Sequence, residues 1–267
     1  MMTRSPQGTA LITGASSGIG AHYAEQLAKR GYDLILVARD RARLDALAQR
    51  LTDATRQNVE VLPADLADPA ALAEVERTLR EDASLTLLVN NAGMGTHTPL
   101  QESDLVQMTR MIALNVTALT QLTYAAVPAF VARGRGAIIN ISSIVSLAPE
   151  LLNGVYGGSK AYVTAFTQAL QRELVGTGVR AQAVLPGATA TDFWERGGLP
   201  LDHLDPNIVM RPTDLVAAAL SDFEREVAIS IPSLHDLSLW QTYEASRLAM
   251  ADQLSSRQLA PRYQSVR

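Results

Sequence analysis

A chain of 267 residues with 47% hydrophobic and 19% charged residues is long enough, and ordinary enough in make-up, to bury a sizeable globular core. A net charge of −4 and the lack of any Lys/Arg-rich run leave no footprint for nucleic acid. The absence of cysteine excludes disulfides, thiolate nucleophiles and Cys-based metal sites, and His22, His97, His203 and His235 are too scattered to form a ligand set, so no metal is expected.

Apolar runs of strand length alternate with amphipathic stretches of helix length. The pattern predicts a strand at Thr9–Thr13, a helix at Gly18–Arg30, a strand at Asp33–Ala38, and a helix from Arg41 with Asp40 as its N-cap. Further strands are expected at Val59–Pro63, Leu85–Asn90, Ala137–Ser142 and Arg180–Leu185, and helices at Pro69–Glu81, Ser103–Arg133 and Tyr156–Gly176. Strands this continuously apolar belong to a parallel sheet covered on both faces, an α/β architecture. Residues 187–211 hold Pro200, Pro206 and the pair Gly197-Gly198, lack periodicity, and read as a long loop of the kind that forms a lid. A helix at Asp214–Phe223, a last strand at Val227–Ile231 and a helix from beyond Leu234 to about Leu254 complete the chain. No linker divides it, so one domain is expected over 1–267, with the lid at 187–211 and a helical extension at 233–267. The first eight residues lack the apolar core of a signal peptide, and stretches such as Leu34–Ala38 and Leu85–Val89 are too short to span a bilayer. No membrane partner and a cytoplasmic location are therefore expected.

Two motifs carry chemistry. The first is the turn after the first strand, where Gly14, Ser16, Ser17, Gly18, Ile19 and Gly20 open a helix. Glycines let backbone N–H groups approach a pyrophosphate, and the helix N-terminus attracts it. The spacing is G-x-x-x-G-x-G rather than G-x-G-x-x-G. The second motif is Tyr156-Gly-Gly-Ser-Lys160. An i, i+4 pair on a helix shares one face, and an ammonium beside a phenol favours the phenolate, which suits proton transfer to and from a carbonyl or alcohol.

Other residues support this reading less specifically. Arg39 stands just after the second strand, with Ala38 where a carboxylate would take ribose hydroxyls, and its guanidinium suits a 2′-phosphate unless it is a solvated surface arginine. Asn90-Asn91-Ala92-Gly93 resembles a cofactor-lining loop or a plain turn. In Asp65-Leu66, the aspartate either caps a helix or holds adenine. Asn115, within an apolar helix pattern, either stabilises a local helix distortion or serves the site. Ser142 and Ser143 face opposite ways along the strand, so only one can look into a site. Pro186-Gly187 starts the lid.

Taken in order, Thr13-Gly-Ala-Ser-Ser-Gly-Ile-Gly20, Asn90-Asn-Ala-Gly93, Asn115, Ser143, Tyr156-x-x-x-Lys160 and Pro186-Gly187 resemble the classical branch of the short-chain dehydrogenase/reductase family over about residues 8–231. The resemblance implies a doubly wound, Rossmann-type parallel sheet of seven strands. Tyr156 would be the general acid/base, Lys160 would lower its pKa and bind the nicotinamide ribose, and Ser143 would hydrogen-bond the substrate oxygen while Ser142 is structural. Asn115 would hold a water linking Lys160 to solvent. Asn91, Ala92 and Gly93 would line the adenosine side, and Asp65 would hydrogen-bond the adenine. Thr191, or less directly Thr189, would contact the nicotinamide amide or pyrophosphate, and Arg39 matches the position typical of NADP-preferring members. The implied activity is hydride transfer between NADP(H) and a small-molecule carbonyl or alcohol, in a homo-dimer or homo-tetramer. The alternatives are an NAD-dependent alcohol or steroid dehydrogenase, and a non-catalytic cofactor-binding protein. Phe193, Trp194, Leu199 and Leu201 in the lid, with Leu147, Leu151 and Leu152, imply a mostly apolar pocket.

Overall fold

The computed structural model describes residues 5–263, in two compact units divided between Pro232 and Ser233. The first unit is built on seven parallel strands: β1 (Thr9–Thr13), β2 (Asp33–Ala38), β3 (Val59–Pro63), β4 (Leu85–Asn90), β5 (Gly136–Ile141), β6 (Val179–Val184) and β7 (Ile229–Ser230). Their order across the sheet is β3-β2-β1-β4-β5-β6-β7. The order reverses between β1 and β4, and ligands of open α/β sheets bind in the crevice at the carboxyl ends of such a pair.

The unbroken apolar strands follow from cover on both faces. Ala10 and Ile12 of β1 point into one core with Leu34 and Leu36, against α1 (Gly18–Lys29) and α2 (Arg41–Thr55). Leu11 points into the other with Ile35 and Val37, against α3 (Pro69–Glu81). On β4, Thr9 pairs with Leu85 but Ala10 with Leu87, so Thr86 is an extra residue. That insertion turns Leu85 and Leu87 to opposite faces although they are two apart.

Asp40 caps α2 as expected, its carboxylate accepting from Arg43 N at 3.0 Å. The expected helix at 103–133 is not uniform. It comprises α4 (Leu105–Ile112), a π-helical segment at Ala113–Ala118 and α5 (Leu119–Ala132). Leu105–Ala132 is also long and apolar enough to cross a membrane by length and composition, with a mean hydropathy of 1.2. Its Ala118, Leu122, Ala125, Ala126 and Phe130 are buried in the core with Leu88 and Ile138, the position of a core helix. α6 (Gly154–Glu173) begins two residues earlier than expected because Asn153 caps it, accepting from Val155 N at 2.8 Å. The loop at 187–211 contains a single α-helical turn, α7 (Phe193–Arg196), and 3₁₀ turns at Leu201–His203 and Pro206–Ile208, and its ends are joined by a bridge between Thr189 and Met210. α8 (Pro212–Glu224) leads to β7, which is shorter than the expected Val227–Ile231.

The second unit holds α9 (Leu237–Ala249), capped by Asp236, whose carboxylate accepts from Ser238 N at 2.9 Å. Trp240 and Tyr243 stack on it with ring centroids 5.5 Å apart. The helix ends five residues before Leu254, and a 3₁₀ turn follows at Ala251–Gln253.

Candidate active site

The loops that leave β1 and β4 meet at the switch point, and Asn91 fastens them together. Its Nδ2 donates to Thr13 O at 2.9 Å and to Gly14 O at 3.2 Å, while the N–H groups of Asn91 and Ala92 both donate to the Thr13 hydroxyl at 3.0 Å. Gly14 has φ +66°, and a Cβ there would stand 2.7 Å from Asn91 Nδ2. Gly18, at φ +54°, brings the turn against Thr191, whose Cγ2 would lie 3.0 Å from an added Cβ. Thr191 therefore sits over the glycine turn.

The helix that follows is distinctive. The N-termini of α2, α3, α4 and α6 are capped by the side chains of Asp40, Asp68, Asp104 and Asn153. At α1 the N-cap Ser17 makes no side-chain bond, and no acidic residue stands in the first turn. Its leading N–H groups thus keep their capacity for an anion. At the end of β2, Arg39 is exposed and has no ion-pair partner among the described residues. Its neighbour Arg43 is engaged with Asp40 at 3.4 Å and Asp192 at 3.2 Å. An uncapped helix start over glycines and an unpaired guanidinium beside it fit a dinucleotide carrying an additional phosphate.

At the end of β5 the two serines part as alternation requires. Ser142 Oγ donates to Lys160 O at 2.8 Å and lies 2.7 Å from Thr164 Oγ1, a structural position. Ser143 faces the other way, beside Tyr156, and caps the short turn after the strand, its Oγ donating to Pro186 O at 3.4 Å and accepting from Val145 N at 3.3 Å. Tyr156 and Lys160 are on α6, 5% and 6% exposed. Lys160 Nζ donates to Ile141 O at 2.9 Å and lies 5.9 Å from the centre of the Tyr156 ring.

The electrostatics correct one expectation. Burial pushes the Tyr156 phenol up to about 12, with the Ser143 hydrogen bond pulling the other way, and the lysine does not hold it below its ordinary value of 10.0. The same burial pulls the Lys160 ammonium down to about 8. Dehydration of each charge outweighs their mutual help, so the Tyr156 phenol is protonated near neutral pH.

Asn115 lies in the π segment and is 1% exposed. Its Oδ1 accepts from Met94 N at 2.8 Å, and its Nδ2 donates to Met94 O at 2.8 Å and to Ser159 Oγ at 3.0 Å. Both open readings of this residue thus meet in one place, because the helix distortion carries it to the site. A Cβ on Gly93 would stand 3.3 Å from Asn115 Oδ1 and 3.5 Å from Lys160 Nζ. Asp65 is not a helix cap, since Asp68 caps α3. Its carboxylate accepts from Ala67 N at 3.1 Å and pairs with Arg110 of α4, while Leu66 is buried in the core.

The lid is held by its own hydrogen bonds and by contact with Tyr156. Pro186 O accepts from Ile144 N at 3.0 Å, and Gly187 O accepts from the Thr189 hydroxyl at 3.0 Å. Trp194 Nε1 donates to Thr189 O at 2.8 Å, fixing α7, and the Phe193 ring stands 5.6 Å from that of Tyr156. Gly95 and Ser159 went unremarked, although both adjoin motifs that were read. Ser159 Oγ donates to Tyr156 O at 2.8 Å and joins Asn115 to the start of α6.

A family model for short chain dehydrogenases matches residues 8–198. The chain belongs to this family of oxidoreductases, whose members bind a nicotinamide cofactor. Sulfoacetaldehyde reductase 2 of Chromohalobacter salexigens is 40% identical over 186 residues, which are 68% of this chain and 73% of that protein. Among solved structures, a short-chain dehydrogenase from Sphingobium yanoikuyae in complex with NADPH superposes with a TM-score of 0.93 at 47% identity, over 96% of this chain and 100% of that one. The bulky-bulky ketone specific alcohol dehydrogenase from Comamonas testosteroni superposes with a TM-score of 0.88 at 42% identity, over 96% of this chain and 98% of that one.

Proposed function

We propose that this protein reduces a ketone with apolar flanks, using NADPH and Tyr156 as the proton donor. The observation that carries the reading is the convergence of Ser143, Tyr156, Lys160 and Asn115 beside the glycine turn, with the phenol held in its protonated form. When bound, the reduced nicotinamide supplies the hydride. Ser143 and Tyr156 donate to the oxygen on which negative charge grows, and the phenolic O–H bond breaks as the alkoxide takes its proton. The tyrosinate is left beside the Lys160 ammonium and recovers a proton from solvent. Asn115 and Ser159 keep the start of α6, and so Tyr156, at a fixed distance from the Met94 backbone.

NADPH is favoured over NADH by the unpaired Arg39 and by Ala38 in place of a carboxylate. An apolar substrate is favoured by Leu152, Phe193, Trp194 and Leu199, which line the cleft under the lid. The NADPH complex of the Sphingobium neighbour points the same way for the cofactor, and the Comamonas neighbour, named for ketones, does so for the reacting group but not for bulk on both sides of it. Exposed Leu105, Val106, Tyr124 and Tyr162 on α4, α5 and α6 support assembly into a homo-oligomer through those helices.

The test is cofactor absorbance with a panel of aryl, alkyl and steroidal ketones. NADPH is expected to be consumed with the aryl ketones, and NADH to be used much less efficiently. Consumption of neither cofactor across the panel, or a preference for NADH, overturns the proposal.

A further inference from the structure

The ring of Phe193 lies where it does because residue 95 is glycine. A Cβ on Gly95 would collide with Phe193 Cζ, come 2.8 Å from Phe193 Cε2 and stand 3.1 Å from Tyr156 Cε2. The backbone of the loop after β4 is therefore the recess that receives the lid aromatic, and the same recess borders the phenol. Phe193 packs with Tyr156, Met94, Val145, Leu152 and Val155 in a cluster separate from the two cores that flank the sheet.

The ring is also held from outside. α7 is a single turn, and a free turn of that length has no stability of its own. Its end is gripped at Gly197 O by the Thr96 hydroxyl at 3.3 Å and by His97 Nδ1 at 3.1 Å. Both gripping residues belong to the loop that contains Gly95. On the other side Phe193 meets the Trp194 ring edge-on, with centroids 5.7 Å apart. It shares with Trp194, Leu199 and Leu152 the lining of the cleft under the lid. One side chain thus borders both the proton donor and the apolar cleft, and no polar atom of its own bears on the reaction.

We propose that Phe193, seated on Gly95, is the specificity-determining residue of this enzyme. It sets the width available to the second, smaller substituent of the ketone beside Tyr156, so that one flat ring is accepted and a ketone flanked by two rings is handicapped. The inference rests on the reading of Tyr156 as the site of carbonyl reduction. Discrimination of this kind is steric, and space of a few methylenes in an apolar pocket is worth about 10- to 200-fold in kcat/KM.

The test compares acetophenone, with one ring, and benzophenone, with two, at saturating NADPH. In Phe193→Ala and Phe193→Leu, the ratio of kcat/KM for benzophenone to that for acetophenone is expected to rise about tenfold or more, most in the alanine variant. Gly95→Ala supplies an independent arm. Alone it drives the ring from its recess and lowers turnover of acetophenone, and combined with Phe193→Ala it is expected to cost far less, because the atoms it strikes are gone. Turnover of both ketones that changes by one common factor in the Phe193 variants, or a Gly95→Ala penalty that Phe193→Ala does not relieve, overturns the inference while leaving ketone reduction standing. Failure of wild-type enzyme to reduce either ketone, or any other in the panel, removes the reading beneath it as well.

Discussion

Lys160 and Arg39 are both cations at the carboxyl edge of the sheet, yet they occupy opposite environments. Lys160 is 6% exposed and donates to one carbonyl, Ile141 O, whereas Arg39 stands in water at the end of β2. Around Lys160 the price of dehydration governs everything. The ammonium is drawn down to about 8, the neighbouring phenol is pushed up to about 12, and every polar group of Asn115 and Ser159 is tied to a named partner. Around Arg39 the charges are exposed and their pairs, Arg43 with Asp40 and Asp192, are of the kind that water and salt weaken. A buried floor tunes proton affinity, while on the proposed reading an exposed rim selects the cofactor by charge. Substitutions in the two regions should therefore fail in different ways.

The largest effect is expected at the floor. Tyr156→Phe removes the proposed proton donor and little volume, and general acid catalysis is worth about a hundred- to ten-thousandfold in rate. Turnover should fall by that order while NADPH still binds, followed by cofactor fluorescence. A variant that keeps more than about a tenth of the wild-type rate would show that the proton comes from elsewhere.

Lys160→Met sharpens the comparison through stability. The lysine falls from an ordinary 10.5 to about 8 on folding, so at neutral pH the native state carries a charge that the unfolded chain holds at less cost. At about 1.4 kcal/mol for each tenfold, this corresponds to roughly 3 kcal/mol against folding, less about 1 for the carbonyl acceptor that methionine leaves unpaired. The sign follows from proton binding. Between about 8 and 10.5 the unfolded state binds more protons, so wild-type stability rises with pH there, and the penalty is complete below 8. The variant should be inactive, about 2 kcal/mol more stable than wild type at neutral pH in denaturant melts, and should lose that advantage as pH approaches 10.5. An advantage independent of pH, or a loss of stability, would mean that the lysine is not a dehydrated cation.

How much of this was legible before the structure depends on what each residue touches. The ends of β1, β2 and β4 follow directly from apolar runs, because a strand covered on both faces has no polar alternation to confuse its limits. The motif residues Ser143, Tyr156 and Lys160 sit together because a strand end and the first turns of the next helix are near in the fold. Asn115 signals a local helix distortion in the sequence, but the π geometry and the extent Ala113–Ala118 show only in the structure, where Met94 and Ser159 hold its amide. Asp65 had two readings, and its partner Arg110 lies 45 residues away on a helix face that periodicity alone does not aim. The direction of the Tyr156 shift was misjudged because residue spacing shows which charges are near but not how much water they lose. Gly95 was hidden for a simpler reason, as its meaning lies in a ring almost a hundred residues further on.

Arg39→Ala gives the smallest of these effects and tests the rim. An exposed arginine contributes to binding only if it is not already engaged, and here Arg41 is paired with Asp45 and Arg43 with Asp40 and Asp192. Arg39 has no such partner among the described residues, so its full charge is available to a 2′-phosphate. A charge-assisted hydrogen bond is worth about 1.5–3 kcal/mol, which is roughly a 10- to 100-fold rise in the Kd for NADPH. NADH, which lacks the phosphate, should bind the variant and the wild type about equally. Because the contact is exposed, added salt should weaken NADPH binding more steeply in wild type than in the variant. Parallel losses for the two cofactors, with equal salt slopes, would mean that the guanidinium supports the ribose or adenine and that cofactor choice is made elsewhere on the rim.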